Sequence, residues 1–228
     1  MSLFRTVTLP CPSCGTNVEF KAVDSINVHR APEYREQILK QTFQQETCGA
    51  CDTSFRLDPH FTYLDATTGQ WIAVFPAVDL PRFAQREAEA RTMFSRSFGS
   101  AAPPVAQRLG ARLTARATFG WYGLTEKLIV DELELDDVTL ELTKALIWRS
   151  GAGPVGVSDY ELRLIAVDDA ELVFSWVVTT TGEAGALVKL PKQVYDDIAA
   201  NPGDWEAMRT EFDSALYVDL KRMLIEGA

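Results

Sequence analysis

The sequence predicts an α+β protein that has a small metal-binding module at its N-terminal end and a larger mixed domain after it. The four cysteines of the chain form two C-x-x-C pairs, both of them before residue 52. Farther along, runs of β-branched and aromatic residues alternate with segments whose apolar residues recur every three or four positions. A hydrophobic fraction of 46% supplies enough apolar residues for a sizeable core, so we expect an ordered chain.

The first 80 residues are predicted to form two hairpins, with a helix inserted between the cysteine pairs. Pro32 suits the start of a helix that extends to Phe43, because apolar residues follow it at helical spacing. A turn signal from Asp65 to Gly69 separates the strands of the second hairpin. The predicted strands cover residues 5–10, 17–22, 54–63 and 71–75.

Residues 81–110 are predicted to be a connecting helix followed by a linker. Over 81–98 the apolar residues approximate one helical face, and the arginines lie mostly on the other face. Residues 99–110 have no periodicity and contain a Pro-Pro pair, which favours a linker. The predicted division of the chain is therefore a metal-binding module over 1–80, this connection, and an acidic α+β domain over 111–228.

The domain over 111–228 is predicted to combine helices with an antiparallel hairpin that turns at Asp168. Asp137 is expected to cap the second helix of the domain. Residues 216–224 fit a final helix, although 216–218 also fit a strand. The predicted elements are helices over 124–135 and 138–146, strands over 160–167, 172–179 and 186–190, and short helices that begin at Pro191 and Pro202.

The net charge of −10 is concentrated in residues 111–228. Tight binding to nucleic acid depends largely on Lys and Arg side chains that displace counterions from phosphates, so the sequence predicts no nucleic-acid partner. One segment, 81–110, is locally basic. We interpret its arginines as the solvated face of a helix, with a docking surface as the alternative. The basic positions of the helix are Arg82, Arg86, Arg91 and Arg96.

The cysteine pairs are the most informative pattern in the sequence. Cys11 and Cys14 form the first pair, and Cys48 and Cys51 form the second. Two residues between thiolates allow one turn to present both sulfurs to one ion at about 2.3 Å, and two such turns complete a tetrahedron. We therefore predict one structural Zn²⁺ in a Cys₄ zinc ribbon, followed by a connecting helix and a C-terminal α+β domain. Four thiolates leave no open position for a catalytic water.

Three other uses of the cysteines are disfavoured. The start of the sequence lacks the apolar run of an export signal, and no apolar stretch is long enough to span a bilayer. We therefore expect a cytoplasmic protein with no membrane partner, in which disulfides are uncommon. An iron–sulfur cluster also takes four thiolates, but paired turns of this kind are more typical of zinc. A thioredoxin-like redox pair requires a βαβ setting that neither pair has.

The N-terminal part resembles the bacterial and archaeal CpXC domain family, named for its cysteine motif. The resemblance is strong over about residues 5–80 and weaker over about 110–150. The second pair here is C-G-A-C rather than C-P-x-C, which keeps the ligand spacing. The matching segments are Cys11 to Gly15, Ser25 to Asn27, Ala31 to Glu33, Cys48 to Cys51, Tyr63 to Asp65, Trp71 to Pro76, Gly123 to Lys127 and Leu135 to Asp137. The resemblance implies a zinc-binding domain and no particular activity.

Residues suited to catalysis are sparse, and we predict no catalytic residue. The two histidines, His29 and His60, both fall in the metal-binding module, and no phosphate-binding loop occurs. An acidic cluster over 131–141 could hold a hard cation, but we interpret it as the wet face of amphipathic helices. Its members are Asp131, Glu132, Glu134, Asp136, Asp137 and Glu141.

Three functions remain open from the sequence. The preferred hypothesis is a zinc-stabilised protein-interaction or adaptor module that binds another protein or a copy of itself. The alternatives are a thiol-based redox sensor that releases zinc on oxidation, and an enzyme of unknown class sited in the C-terminal domain. For self-association, the basic helix would meet the acidic helices, and buried aromatic residues would supply the affinity. The candidate anchors are Phe94, Phe98, Trp121 and Tyr122.

Overall fold

Two β-sheets, of five and three strands, organise the chain, and both pack on helix α4, Gly120–Glu132. The computed structural model describes residues 3–151, 153–154, 159–168, 170–179 and 181–226. The chain is a mixture of helix and strand, as the sequence predicts. No helix among these residues has the length and apolar character needed to cross a lipid bilayer.

The five-stranded sheet has the order β1-β2-β5-β6-β7. Pairs β1/β2 and β5/β6 are antiparallel hairpins, whereas β2/β5 and β6/β7 are parallel. The turn between β5 and β6 is closed by the Gly69 N–H, which donates to the Asp65 carbonyl, as the turn signal predicts. The strands are β1 Leu3–Pro10, β2 Asn17–Asn27, β5 Phe61–Asp65, β6 Gln70–Phe75 and β7 Thr114–Phe119.

A helix and a small hairpin lie between β2 and β5. The sequence predicts the helix but not the hairpin, because the strand predicted over 54–63 is divided into β4 and β5. The hairpin pairs β3, Gln45–Thr47, with β4, Ser54–Arg56. Helix α1 covers Glu33–Leu39 and is shorter than the predicted helix to Phe43. It ends early because Gln41 adopts a left-handed conformation with φ of 59°, which continued helix excludes. The turn that follows directs Phe43 into the core, against the ring of Phe61.

Both faces of the five-stranded sheet are covered, which explains the unbroken run of buried residues from Trp71 to Phe75 in β6. Ile72 and Val74 face one side, in a core with Leu124 and Leu128 of α4. Trp71, Ala73 and Phe75 face the other side, where they pack against helix α2, Phe83–Phe98. This helix confirms the one predicted over 81–98. A 3₁₀ turn, Ala77–Arg82, connects β6 to it.

The predicted linker over 99–110 is wrong for its second half, because residues 104–110 form helix α3, Pro104–Gly110. The Pro-Pro pair marks the beginning of this helix. Pro104 occupies its first position, where a fixed φ suits helix geometry and the missing N–H costs nothing. Gly110 then approaches α2 so closely that an added Cβ would lie 2.4 Å from Cβ of Phe98.

The fifth strand of the first sheet comes from beyond residue 110. β7 pairs with β6 over its whole length, from Thr114 opposite Gln70 to Phe119 opposite Phe75. On its other edge, the Ala117 N–H donates to the Leu216 carbonyl at 2.8 Å. The division into 1–80, 81–110 and 111–228 stays a prediction, but the segment after residue 110 supplies part of the first sheet.

The second sheet, β10-β9-β8, confirms the predicted hairpin and its third strand. Helix α5 is capped by Asp136 rather than by Asp137, since Oδ1 of Asp136 accepts from the Thr139 N–H at 2.7 Å. Residues 214–219 belong to neither a helix nor a strand. The elements are α5 Asp137–Arg149, β8 Tyr160–Asp168, β9 Glu171–Val178, β10 Ala184–Pro191, α6 Lys192–Ala200, α7 Glu206–Asp213 and α8 Leu220–Glu226, with a 3₁₀ turn at Pro202–Trp205.

Replacing Gly110 with alanine tests whether α3 is packed on α2. The new methyl group would overlap Phe98, so we expect the free energy of unfolding to fall by about 1–3 kcal/mol in urea denaturation. Gly203→Ala is the matched control, because no other heavy atom lies within 4 Å of a Cβ built there. Equal stability of the two variants would show that residues 104–110 are loosely attached, as a linker would be.

Candidate metal centre and buried ionic network

The first cysteine pair forms the turn between β1 and β2. The Cys11 N–H donates to the Thr16 carbonyl at 2.8 Å, and the Gly15 N–H donates to the Cys11 carbonyl at 2.9 Å. The chain reverses through Gly15, whose φ of 74° is readily adopted by glycine. Cys11 is buried at 3% exposure, whereas Cys14 is exposed at the tip.

The second pair repeats this turn between β3 and β4. The Cys48 N–H donates to the Thr53 carbonyl at 2.9 Å, and the Asp52 N–H donates to the Cys48 carbonyl at 2.9 Å. Asp52 has φ of 56° and takes the place that Gly15 has in the first turn, since aspartate tolerates this conformation better than most residues. Cys48 is buried and Cys51 is exposed. The two turns therefore have the same hydrogen bonds, and each contributes one buried and one exposed sulfur.

The two turns meet and bring the four sulfurs together. Sγ of Cys11 lies 3.7 Å from Sγ of Cys51, and Sγ of Cys14 lies 3.6 Å from Sγ of Cys48. All four ligand atoms lie within 4.8 Å of one another. A tetrahedron with metal–sulfur bonds of about 2.3 Å has edges of about 3.8 Å, whereas a disulfide requires about 2.05 Å. The spacing therefore fits one metal ion bound by four thiolates.

The surroundings favour the thiolate form at the exposed positions. Hydrogen bonds from Thr16 lower the pKa of Cys14, and those from Thr53 lower the pKa of Cys51 to about 6. At Cys48 the backbone N–H of Ala50 lowers the pKa, but burial and the neighbouring thiols outweigh it and raise the pKa to about 11. A positive ion between the sulfurs would favour deprotonation of all four.

Neither histidine joins the cysteine cluster. Nδ1 of His29 lies 3.4 Å from the hydroxyl of Thr67, and His60 packs against the ring of Phe75. Within the part of the chain that the structure describes, the group of metal-ligating side chains around these sulfurs consists of the four cysteines alone. A four-thiolate set leaves no position for an activated water, so this centre has the donor set of a structural site.

A family model described as CpXC protein matches residues 9–144. The chain belongs to the CpXC family. The match includes both cysteine pairs and extends past β7 through α4 into α5, so the family unit is longer than the N-terminal module predicted over 1–80. Neither the curated proteins nor the solved structures contain a match to the chain.

This CpXC chain also contains a buried ionic network, which sequence reasoning missed. It joins α4, α5, β8 and the segment before α8, and its members are Glu126, Glu141, Lys144, Glu161, Arg163 and Asp219, all at most 8% exposed. Nζ of Lys144 lies 2.7 Å from carboxylate oxygens of both Glu126 and Glu141. Nη1 of Arg163 lies 2.9 Å from Glu126 and 2.6 Å from Asp219.

The interpretation of the acidic cluster over 131–141 as a wet face is wrong for two of its members. Glu141 is completely buried. Asp137 accepts hydrogen bonds from Arg116, at 2.7 and 2.9 Å, and from Lys127 at 2.9 Å. The partners of Asp137 lie on β7 and α4, so a pattern read along one helix could not reveal them. Exposed members do exist, and Glu132 pairs with Arg35 at the surface.

Three carboxylates of the network, those of Glu126, Glu141 and Asp219, are close enough to hold a cation. Lys144 and Arg163 already lie at hydrogen-bond distance from these oxygens and supply the compensating charge. The network is therefore internally paired, and we do not assign a second metal to it.

The network and two further buried charged side chains, Lys127 and Glu87, fix the closing segment, residues 214–222, of which 214–219 belong to neither a helix nor a strand. The Leu220 N–H donates to Glu141 at 2.8 Å, and Nζ of Lys127 donates to the Val218 carbonyl at 2.8 Å. At its other end, the Leu216 N–H donates to the buried carboxylate of Glu87 on α2 at 2.6 Å. Charged side chains thus satisfy backbone groups that a sheet or helix would otherwise satisfy.

Burial and pairing act in opposite directions on the acids of the network. At Asp219 burial raises the pKa, but Arg163 and Lys144 outweigh it and lower the pKa to about 2. At Glu141 burial is dominant and raises the pKa to about 7. Folding therefore favours ionised Asp219, whose contribution to stability is present above pH about 4 and is lost as the pH falls through about 2.

Asp219→Asn should remove the pH-dependent contribution that ionised Asp219 makes to the free energy of unfolding. At pH 7 we expect the variant to unfold with a free energy lower by at least about 2 kcal/mol, because Arg163 loses an ionised partner. The difference from wild type should shrink as the pH falls from about 4 to about 2. Urea denaturation at a series of pH values measures it.

Asp168→Asn serves as the control for this series, since its carboxylate is 61% exposed and pairs with Lys189 at the surface. Its effect should stay below about 1 kcal/mol at every pH. A constant difference for Asp219→Asn over the whole range would contradict the assignment of an ionised, paired carboxylate at this position.

Proposed function

We propose that the four cysteines bind one structural Zn²⁺ and that the chain acts as a zinc-stabilised protein-interaction module. The observation that carries this proposal is the meeting of two matching turns with their sulfurs at 3.6 and 3.7 Å. Zinc is the metal of choice for four thiolates in tetrahedral array, because it is borderline-soft and imposes no other geometry.

A metal would join the β1/β2 hairpin to the β3/β4 hairpin, and the second of these makes far fewer contacts with the rest of the fold. The first hairpin is part of the five-stranded sheet, whereas β3 and β4 have only three residues each. Most side chains from Gln45 to Ser54 are exposed, and buried Cys48 is the exception. The second turn therefore depends on the metal for its position, and binding free energy becomes folding free energy for this part of the chain.

The interaction part of the proposal rests on surface chemistry. Both turn tips are exposed, and the centre offers no position for catalysis. Large apolar side chains also remain exposed, among them Val78 at 69%, Val105 at 70% and Leu187 at 60%. A protein partner fits this surface better than nucleic acid, since the chain carries a net charge of −10.

Two of the four candidate anchors for self-association through the basic helix already pack within the chain. Phe94 packs against Trp71 with ring centroids 5.3 Å apart, and Trp121 lies against the core of its own sheet. Arg86 and Arg91 of α2 also have partners within the chain, which are Asp79 and Glu87 respectively. A partner would therefore contact the turn tips or the exposed apolar residues rather than this helix.

Cys48→Ser should abolish metal binding. We expect elemental analysis of the purified wild type to find one zinc per chain, and the variant to lose it together with several degrees of thermal stability, because a buried ligand is removed. Ser13→Ala, at an exposed position between two ligands, is the matched control and should keep its zinc. Purified wild type without any metal would refute the zinc proposal.

The interaction proposal has its own measurement. Light scattering after size-exclusion chromatography, on zinc-loaded protein at several concentrations, should show a dimer or a defined complex with a purified partner. The complex should weaken when the turn-tip residue Ser13 or Ala50 is replaced by arginine. A complex that persists unchanged in both variants would show that the tips are not the contact surface.

A second candidate, a thiol-based redox sensor, is favoured by the pairing of sulfurs. Each close contact joins an exposed and a buried sulfur from different turns, Cys14 with Cys48 and Cys51 with Cys11. One hydrogen peroxide would take two electrons from such a pair and, with two protons, give one disulfide and two waters, releasing the metal. Zinc release that a thiol reductant reverses would favour this candidate, and release only at denaturing doses would oppose it.

A further inference from the structure

A cavity of about 270 Å³ lies away from the cysteines, where the N-terminus of α4 meets the end of β9 and the residues after β4. Its walls combine one cation, two aromatic rings and two glycines with polar groups. The residues that matter here are Arg56, Gly120, Trp121, Tyr122, Thr179 and Gly182.

The guanidinium of Arg56 is held in a fixed position in this wall. Nε of Arg56 donates to the Phe43 carbonyl at 2.7 Å, and Cζ lies 3.5 Å from the centre of the Trp121 ring. Trp121 is itself fixed, since its Nε1 donates to the Leu57 carbonyl at 3.0 Å. The cation is therefore preorganised by its neighbours before any ligand is present.

Arg56 lacks the carboxylate partner that five other partly or fully buried arginines have. Arg35, Arg86, Arg116, Arg163 and Arg222 each form an ion pair with a carboxylate of the chain. No carboxylate of the described residues pairs with Arg56, and its Nη2 is buried without an acceptor. Burial lowers the pKa of Arg56 to about 10. A desolvated cation of this kind is costly unless an anion compensates it.

The N-terminus of α4 adds positive potential to the same cavity. Helix α4 has 13 residues and begins at Gly120, and no side chain caps its first turn. The free N–H groups at a helix start carry partial positive charge and favour a negative group nearby. The helix and Arg56 therefore select the same sign of charge.

The open space depends on glycine. Gly182, with φ of 71°, faces Tyr122, and a Cβ at this position would lie 3.1 Å from Cε2 of that ring. Gly120 also has a positive φ, of 68°. Any larger residue at 182 would narrow the cavity beside the aromatic wall.

The acids of the lining restrict which anion fits. Asp58 and Glu161 also border the cavity, and Glu161 is already paired with Arg163. Their negative charge opposes a phosphate dianion more than a singly charged group. A guanidinium N–H donates to a carboxylate in a short, charge-assisted hydrogen bond. We propose that this cavity binds a small carboxylate-bearing molecule, whose carboxylate pairs with Arg56 and whose apolar part lies against Trp121 and Tyr122.

Calorimetric titration of the full, zinc-loaded chain tests the proposal. The probes are benzoate, L-phenylalanine and inorganic phosphate. We expect benzoate or phenylalanine to bind with a dissociation constant below about 10 mM, and phosphate to bind more weakly. Arg56→Gln should weaken carboxylate binding at least about tenfold, whereas Arg30→Gln, at an exposed arginine, should leave it unchanged. Phenylalanine binding tighter than benzoate would support the same site, with Asp58 near the ammonium group.

Gly182→Val gives a second test, in which Arg56 is retained. It should reduce binding of benzoate more than binding of acetate, because it narrows the aromatic side of the cavity. Circular dichroism and zinc content verify that each variant is folded, and these readouts are independent of the ligand. The proposal fails if none of the carboxylates binds, if Arg56→Gln and Arg30→Gln bind alike, or if phosphate binds more tightly than the carboxylates.

Discussion

The architecture depends on buried ion pairs that take the place of backbone pairing around the closing segment. Residues 214–222 run between the two sheets, and their N–H and C=O groups reach carboxylates and a cation on α2, α4 and α5. The side chain of Asp219 reaches Arg163 on β8. Breaking one partner of such a buried pair costs about 3–5 kcal/mol, because the other charge stays desolvated. The network therefore tolerates few substitutions, although replacing a whole pair with apolar residues could be neutral.

Much of the fold could be predicted because its signals are local. The hairpin turn from Asp65 to Gly69, the strands of the second sheet and the helix over 81–98 each follow from residues close in sequence. Errors occurred where one signal had two meanings. The Pro-Pro pair at 103 and 104 fits the end of one element and equally the start of the next. Long-range pairing, such as β7 with β6, leaves no mark in a single sequence.

The cysteine centre, the buried ionic network and Arg56 differ in how far they could be predicted from the sequence. The four cysteines could be recognised because two C-x-x-C turns indicate a shared metal ion, whatever residues lie between the two pairs. The buried network could not be recognised, since Glu141 and Asp137 look like any exposed acid on an amphipathic helix. Arg56 is still harder to identify. Its importance lies in the absence of a carboxylate partner, and that is visible only once the side chains of the described residues are placed.

The position of the closing segment along the chain affects how the protein is made. Residues 214–222 follow every strand of both sheets, yet they supply Asp219 to Arg163 and cover the free edge of β7. During synthesis the cysteine turns and the first hairpins emerge early. The buried cations and acids of the helices and strands are made before residues 214–222, which complete their pairing. A nascent chain halted before this segment would expose unpaired charges between its helices. Completion of the fold is therefore coupled to completion of translation through this region.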